Sequence, residues 1–429
     1  MKPRVFRIKE HQGFYCRRSA DDRPSDAGLF PLDASVFEKL VTFVERSFGG
    51  EKESFEVMSI FRCPGYGRVV KAKNFVGVIR FADGMQIEIL PKIEGATETE
   101  TKSIFLKMLR LVLHLRNRVS GLSNLSAEHM PLFDVFIRLF LDEVLLLVKQ
   151  GLSGAYGRIQ GNERFYKGKL SLARHIRENC VHQERFFVEY DIFSSNSPEN
   201  RIIQSALRFL GQIAEEDRNR RDIRMLSQQL ECIPFSSDLD GDFSAVRGKR
   251  LNERYRLLMD WCGIFLRKRG FTTFTGECNA VALLFPMEKL FESYIAICFE
   301  RFAREEGWTV SVQGGRKWLF DRDDDGYKPA FQLKPDLILR RDGVTIIADT
   351  KWKRLSKDES DNFGISQSDM YQMYAYSARF SAKETCLIYP WAGFDVTKRF
   401  GEIGGADVRV YSFRLNDDPS SQVRDVCGR

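Results

Sequence analysis

Pro335-Asp336-Leu337-Ile338-Leu339-Arg340-Arg341-Asp342-Gly343-Val344-Thr345-Ile346-Ile347-Ala348-Asp349-Thr350-Lys351 reads as a tight β-hairpin, and it decides the fold of the C-terminal part of the chain. Apolar runs flank Asp342-Gly343, and Asp-Gly between two such runs is the strongest short hairpin signal. With Asp342 and Gly343 as the two loop residues, pairing runs 341 with 344, 340 with 345, and on to 336 with 349. Asp336 then faces Asp349. Opposed residues on one sheet face have Cβ atoms about 4.5 to 5.5 Å apart, which is unfavourable for two carboxylates unless something offsets them. A divalent cation is the obvious offset. Alternation puts Lys351 on the face of Asp349 and turns Thr350 away. A slip of one residue would place the two aspartates on opposite faces.

The surrounding pattern predicts a helix from Met287 to Glu305, a strand near Thr309 to Val312 that resumes at Trp318 to Phe320, and the two hairpin strands, Gln332 to Arg340 and Val344 to Lys351. A helix capped by Ser366 or Ser368 then runs through Phe380, and strands follow at Thr385 to Tyr389 and Val408 to Phe413. Ile338 and Ile347 are apolar on one face of the hairpin, and Leu337, Leu339, Ile346 and Ala348 on the other, so helices should cover both sides. Glu292 on the preceding helix is a candidate third carboxylate, with Glu288 the alternative. Gln372 and Tyr376, four apart, share a helix face that can meet the acidic cluster. Hydrolysing a phosphodiester needs a nucleophilic water and neutralisation of transition-state charge; carboxylate-held Mg²⁺, with Mn²⁺ as a substitute, supplies both. A lysine such as Lys351 can orient or deprotonate the water. The plain structural alternative makes Asp336 a strand-end cap and Asp349 with Lys351 an ion pair.

A chain of 429 residues with 43% hydrophobic and 29% charged content has enough apolar material for two or three globular domains. Its net charge of +7 permits nucleic-acid partners without demanding them. Nine scattered cysteines without a Cys-x-x-Cys pair point to reduced thiols in a cytoplasm. The start carries no signal-peptide pattern, and the longest apolar region, Leu132 to Val148, includes Asp134, Arg138, Asp142 and Glu143. It is therefore expected to be a buried amphipathic helix and not a membrane span.

The first hundred residues look β-rich, with a second hairpin around Asp83-Gly84 that Pro91 ends. Glu94 to Thr101 reads as a boundary, and helical periodicity dominates from Lys102 to about Leu210. A glycine-rich stretch from Gly151 to Lys169 interrupts it, carrying Tyr156, Arg158, Arg164, Phe165, Tyr166 and Lys167. That composition suits nucleic-acid contact, but the expectation is a structured loop whose aromatics are core. Ser197-Pro198 begins a helix, Asp238 to Gly248 reads as a polar linker, and a further helix from Tyr255 to Arg269 is closed by Gly270. The expected organisation is a β-rich domain over 1–98, a mainly helical region over 99–275, and an α/β domain over 276–429.

Competing chemistries find little support. All five histidines lie far upstream of the hairpin, so a histidine metal site or a Ser-His-Asp site in this module is excluded on that reading. No Gly-x-x-x-x-Gly-Lys-Ser/Thr occurs, so no nucleotide is expected to bind through a P-loop of this chain. Asp321 to Gly326 begins like a calcium loop, but Gln332 stands where a bidentate Glu is required, which leaves an acidic turn.

Pro335-Asp336, Asp349-Thr350-Lys351 and Gln372-Met373-Tyr374-Ala375-Tyr376 resemble the PD-(D/E)xK nuclease superfamily and its RecB-like Gln-x-x-x-Tyr element. More narrowly, the chain is similar to the McrC-type nuclease subunits of McrBC modification-dependent restriction systems. That similarity extends to Val76-Gly77-Val78-Ile79, to Glu88 through Ile93, to Gly151 through Leu170, to Asn200-Arg201-Ile202-Ile203, and to Phe285 through Glu292. It implies an α+β multidomain protein whose C-terminal α/β/α domain is a restriction-endonuclease-like PD-(D/E)xK domain. It implies Mg²⁺ held by Asp336, Asp349 and Glu292, with Lys351, Gln372 and Tyr376 completing the catalytic set and Thr350 occupying a variable position of no consequence. It further implies double-stranded methylated DNA as substrate and a separate McrB-like AAA+ GTPase as partner, engaged through the amino-terminal domain. A non-catalytic adaptor that activates the GTPase, and a stand-alone nuclease, are the two other readings.

Overall fold

The computed structural model describes residues 4–17, 28–48, 57–113, 130–248, 251–267, 280–315, 317–322, 328–401 and 407–427. Residues 323–327 of the acidic turn, and the 275/276 boundary, lie outside the described residues. The chain divides into two compact units, 1–130 together with 271–429, and 131–270. Among the described residues, no helix is long and apolar enough to cross a membrane.

The first unit begins with β1 (Val5–Lys9), β2 (Gly13–Cys16), β3 (Leu29–Leu32), α1 (Ala34–Phe48), β4 (Met58–Cys63), β5 (Gly67–Ala72), β6 (Phe75–Phe81), β7 (Gln86–Leu90) and α2 (Glu98–Val112). Strands β3-β2-β5-β4 form one sheet. The expected Asp83-Gly84 hairpin joins β6 to β7, pairing Gly77 with Ile89 and Arg80 with Gln86. The apolar faces close on α1 in a core containing Phe37, Leu40, Val70, Ile79 and Ile87.

After residue 280 come β11 (Ala280–Pro286), α9 (Met287–Glu305), β12 (Thr309–Val312), β13 (Lys317–Arg322), β14 (Lys328–Leu333), β15 (Leu337–Arg341), β16 (Val344–Thr350), α10 (Gln367–Phe380), β17 (Glu384–Pro390), β18 (Thr397–Gly401), β19 (Asp407–Phe413) and α11 (Pro419–Cys427). The expected continuous strand from Gln332 to Arg340 is split into β14, which pairs with β13, and β15. Pro335 lies at that break, and the left-handed Phe331, φ 59°, lies within β14. The main sheet runs β12-β15-β16-β17-β19-β18, parallel from β16 through β17 to β19 and antiparallel elsewhere. Helix α10 packs on the Ile338 and Ile347 face with Leu387 and Val410, while α9 contacts β12 and β16.

The division at 98/99 differs from the contact pattern for two physical reasons. Glu94 to Thr101 is the start of a helix: Thr97 and Glu100 form a reciprocal capping box at the N-terminus of α2, and α2 packs on α9. Strand β11 completes the β1-β7-β6-β11 sheet, pairing Leu284 with Gly77.

The second unit contains α3 (Leu132–Gln150), β8 (Ala155–Glu163), β9 (Lys169–Leu170), α4 (Leu172–Glu178), β10 (Phe186–Ser194), α5 (Pro198–Ile213), α6 (Asp217–Gln229), α7 (Leu239–Arg247) and α8 (Glu253–Arg267). Phe133, Phe136 and Phe140 of α3 meet Trp261 and Phe265 of α8, and buried Arg138 is paired with Asp142 at 2.7 Å and Asp222 at 2.5 Å. The expected polar linker from Asp238 to Gly248 is helix α7 instead, with Asp238 as a working N-cap accepting from the Gly241 N–H. The expectation that the glycine-rich stretch buries its aromatics is also overturned. Strands β8 and β10 form a long ribbon edged by the two-residue β9, and Tyr156 is 76% exposed, Phe165 81% and Tyr166 60%.

Gly77 sits where β6 meets β11 with φ 137°, and a Cβ there would lie 1.9 Å from the Leu283 carbonyl oxygen. Gly77→Ala should therefore cost roughly 3 kcal/mol through strain and overlap. A thermal melt unchanged from wild type would contradict this close approach.

Candidate active site

Strands β15 and β16 pair Arg341 with Val344, Arg340 with Thr345 and Leu337 with Ala348. The loop residues Asp342 and Gly343 have φ of 50° and 79°, the two positive values of a type I′ turn. One step beyond Leu337 and Ala348, this register brings together Asp336 and Asp349.

Asp336 is gripped by its neighbour's partner. The Thr350 N–H and hydroxyl donate to Asp336 Oδ2 at 2.8 and 2.7 Å, so Thr350, expected to be of no consequence, positions the first carboxylate. The Gln313 N–H donates to the Asp336 carbonyl at 2.8 Å. Burial, then the charges of Asp349 and Glu292, push the Asp336 carboxyl up to about 6 against the hydrogen bonds from Thr350. Asp349 is 2% exposed; burial raises its carboxyl too, with Lys351 opposing.

The Lys351 ammonium is ion-paired with Asp349 Oδ2 at 2.5 Å. Burial disfavours the ammonium, yet Asp349, Asp369 and Asp336 together hold it above the ordinary lysine value. Lys351 donates to Gln372 Oε1 at 2.9 Å, Gln372 Nε2 donates to the Tyr376 hydroxyl at 2.8 Å, and that hydroxyl donates to the Lys334 carbonyl at 3.0 Å. The predicted Gln372 and Tyr376 thus belong to one relay from the lysine back to the link between β14 and β15 that carries Asp336.

Glu292 of α9, and not Glu288, is the acid whose charge reaches both aspartates. Its oxygens are held by Lys289 at 2.8 Å and by Gln313 Nε2 at 2.6 Å. Glu288 instead accepts from Asn74 at 3.0 Å. Sequence reasoning missed Asp369, which accepts from Lys353 at 3.0 Å and the Tyr389 hydroxyl at 3.3 Å and lies 3.9 Å from Lys351. Its signal was the Ser366-x-x-Asp369 spacing of a helix start, and Ser366 does cap α10. Gln313 and Thr350 carried no comparable mark.

Among the described residues, no three His, Cys, Asp or Glu side chains form a group that could hold a metal. Asp336 and Asp349 offer two hard oxygen donors instead. Two carboxylates, both raised by burial and by neighbouring acids, fit an ion such as Mg²⁺ that keeps several waters and takes one or two protein carboxylates.

The chain belongs to the family described as McrBC 5-methylcytosine restriction system component, whose family model matches residues 70–390. The same overall fold occurs in a chain of the refined half-complex from the tetradecameric assembly of Thermococcus gammatolerans McrB AAA+ hexamers with bound McrC, with a TM-score of 0.72 at 20% identity over 99% of both chains. A chain of the cryo-EM structure of the Thermococcus gammatolerans McrBC complex gives a TM-score of 0.49 at 23% identity, covering 70% of this chain and 88% of that one. No curated protein matches.

A carboxyl raised by folding contributes stability that is complete below about pH 4 and is lost as the pH rises through about 6. In EDTA, Asp336→Asn should therefore raise the melting temperature at pH 7.5 and do little at pH 4. Equal shifts at both pH values would remove the electrostatic account.

Proposed function

We propose that the chain is the Mg²⁺-dependent DNA endonuclease subunit of a modification-dependent restriction complex. It cleaves phosphodiester bonds in methylated double-stranded DNA when bound to an AAA+ GTPase partner whose hydrolysis it stimulates. Membership of the McrBC family supports the system. The observation that carries the chemistry is the face-to-face placement of Asp336 and Asp349 with the Lys351 ammonium 2.5 Å from Asp349.

Asp336 and Asp349 would hold the metal ion, with Glu292 at the rim. Bound Mg²⁺ neutralises charge on the scissile phosphate and activates the attacking water. The chain's own contribution is positional and electrostatic. The Lys351 ammonium, kept charged by three aspartates, stabilises negative charge as it builds on the phosphate. In this role it orients water as a cation and does not deprotonate it. Gln372 fixes the direction of that ammonium, and Tyr376 fixes Gln372. Thr350 keeps the Asp336 carboxylate turned toward Asp349. The amino-terminal residues 1–98 are assigned to contact with the GTPase.

With the AAA+ partner and GTP present, Asp349→Ala should reduce cleavage of methylated DNA below detection while GTPase stimulation and complex formation persist. Retained cutting would refute the site, and a wild-type protein that stimulates GTP hydrolysis without cutting would establish the adaptor reading. Gln372→Leu should lower the cleavage rate about tenfold, the effect of one lost hydrogen bond to a charged group, without changing the melting temperature much.

A further inference from the structure

The first unit contains a cavity of about 570 Å³ walled by Trp352, Lys353, Trp391, Glu10, Lys92 and Arg414 among others. It opens past the C-terminal ends of the parallel strands β16, β17 and β19, the position where open α/β sheets bind ligands. Its wall is the direct continuation of the catalytic segment: Trp352 and Lys353 follow Lys351, and Lys353 also donates to Asp369. His11 lies on the same wall. Its distance in sequence from the hairpin, used above to set the histidines aside, therefore did not keep it away from this module.

The wall is rigid and chemically mixed. The Trp352 indole packs on Phe291, ring centroids 5.2 Å apart, and its N–H points at Glu10 Oε2 and Oε1, 3.1 and 3.2 Å away. Glu10, 1% exposed, also accepts from the Lys92 N–H at 3.0 Å. Burial pushes its carboxyl up to about 7. Trp391 Nε1 is buried without a hydrogen-bond partner, while the Arg414 guanidinium lies 5.5 Å over the Trp391 ring. Two indoles and the Lys92 ammonium on one cavity wall are what a base face and a phosphate require.

We propose that this cavity receives one unstacked nucleotide of the DNA being cleaved, its base against Trp391 and Trp352 and its phosphate toward Lys92. The volume lies within the range of small-molecule sites, so it admits a nucleotide and not a stacked duplex. The cost of leaving the stack, a few kcal/mol, is comparable to the gain from stacking on an aromatic side chain. The inference rests on DNA being the substrate.

The test uses the full chain in EDTA, so that cutting plays no part, and fluorescence anisotropy of labelled duplexes that differ only by one bulged nucleotide. Wild type should prefer the bulged duplex by about tenfold. Trp391→Ala should lose that preference with unchanged affinity for the paired duplex; Trp391→Phe, which keeps a stacking face and tests for misfolding, should retain most of it. Asp349→Ala should also keep the preference, which separates this inference from the nuclease reading tested by cleavage. No preference in wild type, or an equal preference in Trp391→Ala, would overturn the proposal. So would saturation by free dCMP or GTP that bulged DNA fails to displace, which would make the cavity a free-nucleotide site.

Discussion

Everything at the candidate site depends on the pairing register set by Asp342-Gly343. Both residues take positive φ, and the I′ turn they make has the twist that lets two strands continue in pairing without splaying. Ten side chains between Leu337 and Ala348 are thereby assigned to faces, and the two aspartates beyond them meet. Because the side-chain period of a strand is two, no small adjustment of the loop could bring the carboxylates together gradually.

The cluster that results holds more negative charge than its burial would tolerate unaided. Asp336, Asp349, Asp369 and Glu292 are opposed by the ammoniums of Lys351, Lys353 and Lys289. The balance is incomplete, since burial and like charge still raise Asp336 and Asp349. The relay through Gln372 and Tyr376 to the Lys334 carbonyl adds direction, tying α10 to the residue immediately before Pro335-Asp336.

The amino-terminal strands are structurally part of the same unit. Strand β11 supplies the fourth strand of their sheet and leads directly into α9, the helix that carries Glu292. Helix α2 packs on α9 as well, and Glu10 from the end of β1 meets the indole of Trp352. The family match from residue 70 to residue 390 spans both segments, as does the cavity.

Local signals were enough for the turn, for α9 and α10, for the opposition of Asp336 to Asp349, and for the shared face of Gln372 and Tyr376, because each follows from a period or a turn type written into neighbouring residues. Compositional readings did less well. A Thr- and Glu-rich stretch was a helix cap, a polar linker was helix α7, and the aromatics from Tyr156 to Tyr166 stand in solvent, since composition does not say what packs on a segment. Only the tertiary structure decided that Thr350 and Gln313 hold Asp336, that Glu292 and not Glu288 faces the aspartates, and that Glu10 and His11 stand beside Trp352. Those contacts join strands and helices far apart in the chain, and the free energy that selects them comes from burial across the whole unit, which no local window of sequence contains.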